Sequence, residues 1–263
     1  MSGAHPPLSA RAFVLATDLD GTFLGGTPAA RRRLYDWIEA SRRTIGLIFV
    51  TGRDPRFIAE LCRAGEAPWP DYVIGDVGTT VAAIARDAEI PVQPLAALEA
   101  EISSLWADRG EEVRAALDGR PGLSLQKTPF RYRVSYDLDP ETFDPAAHET
   151  VAALGFDSLV SDNRFFDVLP PGVSKGPTLR RLIAHLGVGA ERVLAAGDTL
   201  NDLSMLEAGF NAVAVGGSEP GLLVRVAGLE KVHKAKAAGA AGILEAIERF
   251  DLHPLPEGEM RVL

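Results

Sequence analysis

Along the chain, short apolar runs with no helical period alternate with longer stretches whose apolar residues recur every three or four positions. The first kind predicts buried strands and the second amphipathic helices. Phe13 to Thr17 is the first strand and runs into Asp18-Leu19-Asp20-Gly21-Thr22. Ile45 to Val50 is the second, ending in Thr51-Gly52-Arg53, and Tyr72 to Gly75 the third, ending at Asp76 and Gly78. Arg192 to Gly197 and Asn211 to Gly216 repeat the pattern later, and Lys231-Val232-His233 predicts a last strand. Between them lie helices. One is capped by Thr27 with Pro28 at its first position and a stripe of Leu34, Trp37 and Ile38, and Asp54-Pro55 opens another. Leu179, Leu182, Ile183 and Leu186 mark a third, closed by Gly187, a short helix runs on from Asp198 through Ala208, and Ala240 to Phe250 is the last. The alternation predicts an α/β protein with a doubly wound, Rossmann-like parallel-sheet core.

From about Thr80 the texture changes. A mixed piece with Val81 and Ile84 leads to a helical stretch from Leu95 to Leu117, then strands over Leu123–Lys127 and Phe130–Asp137. A helix from Asp139-Pro140 through Leu154 follows. Asp157–Ser161 and Arg164–Leu169 then form a closing strand pair around Asp162-Asn163. Strands joined by short turns predict a small α+β unit at residues 83–166, inserted into a core of residues 1–82 and 167–263. The proline-rich ends, His5-Pro6-Pro7 and His253-Pro254-Leu255-Pro256, predict surface tails.

Composition narrows the options. With 263 residues, 46% apolar and 24% charged, the chain has the make-up of a folded globular protein and not of a disordered one. A net charge of -9 weighs against nucleic acid or an anionic membrane surface as main partner. A single cysteine, Cys62 beside Phe57, Ile58 and Leu61, excludes an internal disulfide framework and predicts a packed thiol in a reducing compartment. Met1 to Ala10 lack the apolar run of a secretion signal and no later run has the length of a membrane span. The expectation is a cytoplasmic protein, monomeric or a weak homo-oligomer.

In a parallel sheet, ligands sit beyond the carboxyl ends of the strands. Asp18, Asp20, Thr51, Asp76, Asp198, Asn201 and Asp202 all fall there, and Lys175 opens a helix that reaches the same edge. Strand alternation aims Asp18 and Asp20 roughly the same way, and such a pair is tolerable where a divalent cation shares the space or one carboxylate keeps its proton. Asp18, Asp198 and Asp202 supply the hard oxygens that Mg2+ prefers, Thr51 can donate to a phosphate oxygen, and Lys175 can neutralise phosphate and carboxylates alike. The inventory suits phosphoryl transfer, with Asp18 as nucleophile and Asp20 as acid and then base. The arginine triplet Arg31 to Arg33 predicts a solvated helix face, and His148, His185 and His233 predict structural roles.

Four motifs in order, Asp18-Leu19-Asp20-Gly21-Thr22, Val50-Thr51-Gly52-Arg53, Ser174-Lys175-Gly176 and Gly197-Asp198-Thr199-Leu200-Asn201-Asp202, resemble those of the haloacid dehalogenase superfamily of phosphohydrolases. The insertion between the second and third resembles the type IIB, Cof-like cap. Lys231-Val232-His233 with the helix from Ala240 to Phe250 is similar to the ending of the sucrose-phosphate phosphatase branch. The chain departs from that branch at Gly21 and at Thr199-Leu200, where those enzymes carry asparagine and Ser-Gly. The resemblance implies an aspartyl-phosphate on Asp18 and proton transfer by Asp20. It further implies Mg2+ held by the Asp18 carboxylate, the Asp20 backbone carbonyl and Asp198, with Asp202 directly or through water. Thr51, Gly52 and Lys175 would hold the phosphate, with Asn201 orienting the group. The expected substrate is a sugar phosphate, a disaccharide or glycoside phosphate such as sucrose 6-phosphate. A sugar phosphomutase, a phosphoacceptor signalling module and a noncatalytic sugar-phosphate binder are the alternatives. Substrate choice falls to the cap, where Lys127, Arg131, Arg133, Asn163 and Arg164 are polar candidates and Asn163 and Arg164 are preferred because their turn can lean over the site.

Overall fold

The structure, a computed structural model, describes residues 5–255. Its larger sheet is built on β1 (Phe13–Thr17), β2 (Ile45–Val50), β3 (Tyr72–Gly75), β4 (Thr80–Ile84) and β5 (Val92–Pro94). The smaller sheet holds β6 (Leu123–Leu125), β7 (Val134–Leu138), β8 (Asp157–Ser161) and β9 (Phe165–Leu169). The chain then returns to the larger sheet through β10 (Val193–Gly197), β11 (Asn211–Gly216) and β12 (Val232–Ala238). The larger order is β12-β11-β10-β1-β2-β3-β4-β5, parallel from β12 to β3 and antiparallel from β3 to β5. The return from the insertion thus pairs β10 directly against β1.

Helices cover both faces of the larger sheet and one face of the smaller, as the alternation of apolar runs and stripes requires. They are α1 (Pro28–Ala40), α2 (Pro55–Arg63), α3 (Ala96–Trp106), α4 (Gly110–Leu117), α5 (Ala146–Ala153), α6 (Lys175–His185), α7 (Leu203–Leu206), α8 (Pro220–Arg225) and α9 (Ala240–Arg249). Successive residues of one strand face opposite ways. Phe13 and Leu15 therefore join Leu34, Trp37, Ile58 and Ile243 from α1, α2 and α9, while Val14 and Ala16 join Leu179, Leu182 and Met205 from α6 and α7. The expected caps are present: Thr27 Oγ1 accepts from Ala30 N–H at 3.2 Å and Asp54 Oδ1 from Arg56 N–H at 2.8 Å.

The smaller sheet, ordered β6-β7-β9-β8, is antiparallel throughout. Val134, Tyr136, Phe166 and Val168 face α4 and α5, packing with Val113, Leu117 and Val151. Ser135 and Asp167 alternate onto the opposite face and are paired in register. That polar face looks across at the carboxyl ends of the larger sheet.

Several boundaries differ from expectation. Residues 83–94, assigned by sequence to the insertion, belong to the larger sheet: β4 pairs with β3 and β5 with β4. The reversal lies directly after β3, where Asp76, Val77 and Gly78 take φ of 52, 59 and 106° and turn the chain back on itself. Leu98 and Ile102 of α3 also pack with Ile74 and Val81 of that sheet. The single helix expected over Leu95 to Leu117 is two, broken by Ala107 and Asp108 at φ 53 and 56°. The expected helix from Asp139 begins only at Ala146, because Asp139 accepts from Glu141 N–H and Thr142 Oγ1 and closes a turn instead. The final strand is longer than its first three residues suggested.

Nor is the C-terminal stretch a free tail. The ring of His253 lies edge-on to Trp37 at 5.4 Å and its Nε2 meets Thr44 Oγ1 at 2.9 Å. Pro254 O accepts from Trp37 Nε1 at 3.1 Å, and Leu255 packs on the α1 side of the core. At the other end His5 and Pro7 are exposed, while Pro6 O accepts from Arg11 Nε at 2.9 Å. Pro256 and Met1 to Ala4 lie outside the described residues. Cys62 is buried in the core and its thiol is pushed up to about 12 by that burial.

Candidate active site

The end of β1 is crowded because four chain segments converge on it. Asp18 follows β1, and Lys175 at the start of α6 places Nζ 2.7 Å from Asp18 Oδ1, 2.7 Å from Asp202 Oδ1 and 2.8 Å from Asn201 Oδ1. The ammonium is 1% exposed and Asp202 is 0% exposed. Burial by itself would lower Lys175, but the Asp18 and Asp202 carboxylates outweigh it and hold the charge well above the ordinary lysine range. Asp202 has both oxygens engaged, since Oδ2 accepts from the N–H groups of Asp198 at 3.0 Å and Thr199 at 3.1 Å. The segment after β10 is thereby locked as one rigid turn.

Asp198 leans toward β1, where its Oδ1 accepts from Thr22 Oγ1 at 2.7 Å. That approach explains Gly21. Its φ is +78°, and a Cβ placed there would stand 2.1 Å from Asp198 Oδ2. Asp18, Asp198 and Asp202 each offer a carboxylate oxygen, all within 4.8 Å of one another. Against three carboxylates stands one ammonium, a deficit that a divalent cation with a preference for hard oxygens fits in both charge and donor type. Burial, opposed by Lys175 and reinforced by Asp202, pushes Asp18 up to about 8. Burial likewise pushes Asp198 up to about 6, with Thr22 opposing.

Thr51 is buried at the end of β2, and its Oγ1 accepts from Arg53 N–H at 3.2 Å. The turn after β3 braces this loop: Val77 N–H donates to Thr51 O at 3.2 Å and Asp76 N–H to Arg53 O at 3.0 Å. Asp20 lies nearer solvent, its carboxylate held bidentately by Arg53 at 2.7 and 2.8 Å. The guanidinium stacks over Phe57 at 4.2 Å, and the hydrogen bonds to Asp20 hold it above the usual arginine range.

Above these groups is a cavity of about 480 Å³. Its floor is Asp18, Asp20, Thr51, Gly52, Asp198 and Asn201. Gln126, Arg133, Ser161, Asp162, Phe165 and Asp167 form the opposite wall, from the smaller sheet and its approach. A compartment with one carboxylate-rich, cation-ready end and one polar end with an aromatic edge suits an ester joining a phosphate to a hydrophilic alcohol.

Comparison with known proteins agrees. The family described as Sucrose-6F-phosphate phosphohydrolase matches residues 11–251. The chain belongs to that family. It is thereby a member of the haloacid dehalogenase superfamily and of the phosphoric monoester hydrolases. A glucosylglycerol-phosphate synthase of Pseudomonas anguilliseptica is 42% identical over 238 residues, 90% of this chain but 30% of that protein. A mannosylfructose-phosphate phosphatase of Agrobacterium fabrum is 27% identical over 92% of this chain and 98% of its own. The structure of the sucrose-phosphatase from Synechocystis sp. PCC6803 in complex with sucrose and phosphate superposes with a TM-score of 0.81 at 26% identity, covering 92% of this chain and 98% of that one.

For a phosphohydrolase of this family, the positions expected from sequence divide in two. Asp18, Lys175, Asn201, Asp198 and Asp202 come together within hydrogen-bond or ligand distance, and Asp20, Thr51 and Gly52 border the same cavity. The Asp20 carboxylate stands apart from the acidic cluster, engaged by Arg53. Asn163 and Arg164 do not line the cavity. Asp162 and Asn163 have φ of 52 and 48°, a tight reversal after β8, and Arg164 is 71% exposed, 3.8 Å from Asp162 Oδ2 and over the Phe165 ring. Ser161, Asp162, Phe165 and Asp167 take the places expected of them. Arg131 is drawn to Glu99 at 2.6 Å, while Arg133 does reach the cavity. The missed signal was the alternation of Phe165 and Asp167 against Phe166 and Val168, which marks a strand with one polar face. His148 and His233 pair with Ser158 and Glu245 at 2.7 and 2.8 Å.

Proposed function

We propose that the chain is a Mg2+-dependent phosphatase of a small glycoside phosphate. The observation that carries this is the clustering of Asp18 and Asp198, which line the floor of a cavity whose opposite wall is polar, with Lys175 and Asp202 buried directly beneath them. Asp18 would attack phosphorus, displacing the sugar oxygen and forming an aspartyl-phosphate. Asp20, at the rim of the cavity, would give its proton to that departing oxygen and then take one from the water that releases phosphate. Thr51, the Gly52 backbone and Lys175 would hold the phosphate oxygens, with Asn201 orienting the ammonium. Asp18, Asp198 and, directly or through water, Asp202 would hold Mg2+, with the Asp20 carbonyl as a further donor. When bound, the ion supplies charge neutralisation between carboxylates and phosphate.

The cap role belongs, in this proposal, to the four-stranded sheet with α4 and α5. The chain spans only 30% of the synthase-named relative, and the match to that segment puts a glucosylglycerol phosphate first among candidates, ahead of mannosylfructose and sucrose phosphates. A cytoplasmic setting is part of the same proposal; Cys62 is free and buried, and among the described residues no helix is long and apolar enough to cross a membrane.

The test is phosphate release from those three esters, with Mg2+ and with chelator, for the wild-type chain and Asp18→Asn. Release that needs Mg2+ and vanishes in the variant supports the assignment. Undiminished turnover by Asp18→Asn overturns it, and transfer of the phosphate to a second sugar identifies a mutase.

A further inference from the structure

Two arginines on the approach to β7 reach out of the smaller sheet to carboxylates of the larger one. Arg131 binds Glu99 of α3 at 2.6 and 3.3 Å, and Glu99 is 5% exposed. Arg133 does more. It is 8% exposed, and its guanidinium spans both units, donating to Asp167 Oδ1 of β9 at 3.1 Å, to Asp76 Oδ1 at 3.0 Å and to the Gly52 carbonyl at 3.3 Å. Ser135 Oγ donates to the same Asp167 oxygen, and Thr80 Oγ1 secures the other oxygen of Asp76 at 2.7 Å.

The far anchor of this bridge is an unusual turn. Asp76 and Val77 both have positive φ, a costly conformation for a β-branched residue, and a Cβ on Gly78 would stand 2.4 Å from the Ser174 carbonyl carbon. Gly78 O accepts from Thr178 Oγ1 of α6 at 2.8 Å. The turn therefore touches the Thr51 loop on one side and the start of the Lys175 helix on the other, and Arg133 joins it to the wall opposite. Steric strain of this kind persists only where surrounding contacts over-determine it.

We propose that Arg133 is a positioning residue: by donating from Nη2 to Asp76 and Gly52 and from Nη1 to Asp167, it sets the register between the sugar-side wall and the phosphate floor. The inference rests on the phosphatase reading, and it names the device by which contacts to the sugar are converted into alignment of the phosphoryl group. The Thr51 loop does not rest on Arg133 alone: Arg133 takes only its Gly52 carbonyl, while the backbone N–H groups of Val77 and Asp76 brace Thr51 O and Arg53 O independently. Loss of Arg133 should therefore weigh on substrates that touch the far wall and much less on those that do not.

The experiment compares glucosylglycerol phosphate with p-nitrophenyl phosphate, which carries no sugar, in Arg133→Gln, Arg133→Lys, Asp76→Asn and the Arg133→Gln/Asp76→Asn pair. The expected result is a loss of at least about tenfold in kcat/KM for the sugar ester, lying mainly in kcat, with less than about threefold change for the aryl ester. Arg133→Lys should fall between, since one ammonium cannot reach all three acceptors. The double variant should lose no more than the worse single one. Equal losses on both esters, or additive losses, overturn the proposal. If the wild-type chain releases phosphate from neither ester, the phosphatase reading fails, and small-angle scattering still decides the bridge: Arg133→Gln should enlarge the radius of gyration, and an unchanged radius overturns it.

Discussion

The two ends of the cavity are built on different physical terms. At the phosphate end Lys175 and Asp202 are 1% and 0% exposed, and the Lys175 ammonium stands 2.7 Å from a carboxylate oxygen of both Asp18 and Asp202. The sugar end is mixed: Arg133 and Asp167 are buried as a pair at its back, but Asp162 at its lip has 58% of its side chain exposed and sits on a two-residue reversal. Charges buried against one another carry desolvation costs that only good geometry offsets, so they tolerate little displacement. Polar groups at a wet rim gain and lose little when they move. Chemistry common to many phosphate esters is thus fixed in the rigid end, and discrimination among alcohols is left to the soft one.

Substitutions should separate the ends cleanly. Asp18→Asn should reduce kcat by at least about 10⁴-fold on any ester while the circular dichroism spectrum and cooperative unfolding persist. Activity within tenfold of wild type would erase the contrast. Lys175→Met should leave Asp18 and Asp202 buried without their counter-charge and cost about 3–5 kcal/mol of unfolding free energy, read by urea titration. A loss below 1 kcal/mol would mean that the phosphate end is less rigid than its contacts indicate. Asp162→Ala should raise KM for the sugar ester by roughly three- to tenfold, the worth of about one hydrogen bond, with kcat on p-nitrophenyl phosphate within twofold.

The smallest effect lies away from both ends. Burial works against the Glu245 charge, but the N–H groups of Ala237 and Lys236 and the His233 ring prevail and hold its carboxyl below the usual range. Stability from a depressed carboxyl is present above its unfolded value and lost as pH falls through the folded one. Glu245→Gln should therefore lower stability by about 1 kcal/mol at neutral pH, with the gap closing below roughly pH 4. A gap that is independent of pH would rule out the charge as its source.

How much could be read in advance follows the same division. The phosphate end was legible because strands that end on Asp18, Thr51 and Asp198 must present those groups at one sheet edge once the sheet is parallel. The first lines of the core were legible too, since Phe13, Val14 and their neighbours leave no alternative to burial on both faces. Residues 83–94 were misjudged because β5 is three residues long and carries no period, so only its pairing with β4 reveals it. The interruption between α3 and α4 depends on two left-handed residues, Ala107 and Asp108, that no composition rule marks. In the hairpin after β8, the positive φ of Asp162 and Asn163 suspends strand alternation, so the sequence period does not say which turn residue meets the cavity, and it is Asp162 rather than Asn163 or Arg164. Arg133 looked like any surface arginine because its three acceptors lie 34, 57 and 81 positions away.

The pairing of β1 with β10 has a further consequence for the life of the polypeptide on the ribosome. Asp18 meets Lys175 across 157 positions, and Thr22 meets Asp198 across 176. Until translation has passed β10, about three quarters of the way along, the emerging strand has one open flank and an acidic terminus with no counter-charge. Such long-range closure is slow and leaves sheet edges open to wrong partners in the meantime. The cluster around Asp18 therefore assembles late, only once the segments carrying Lys175 and Asp198 have been made.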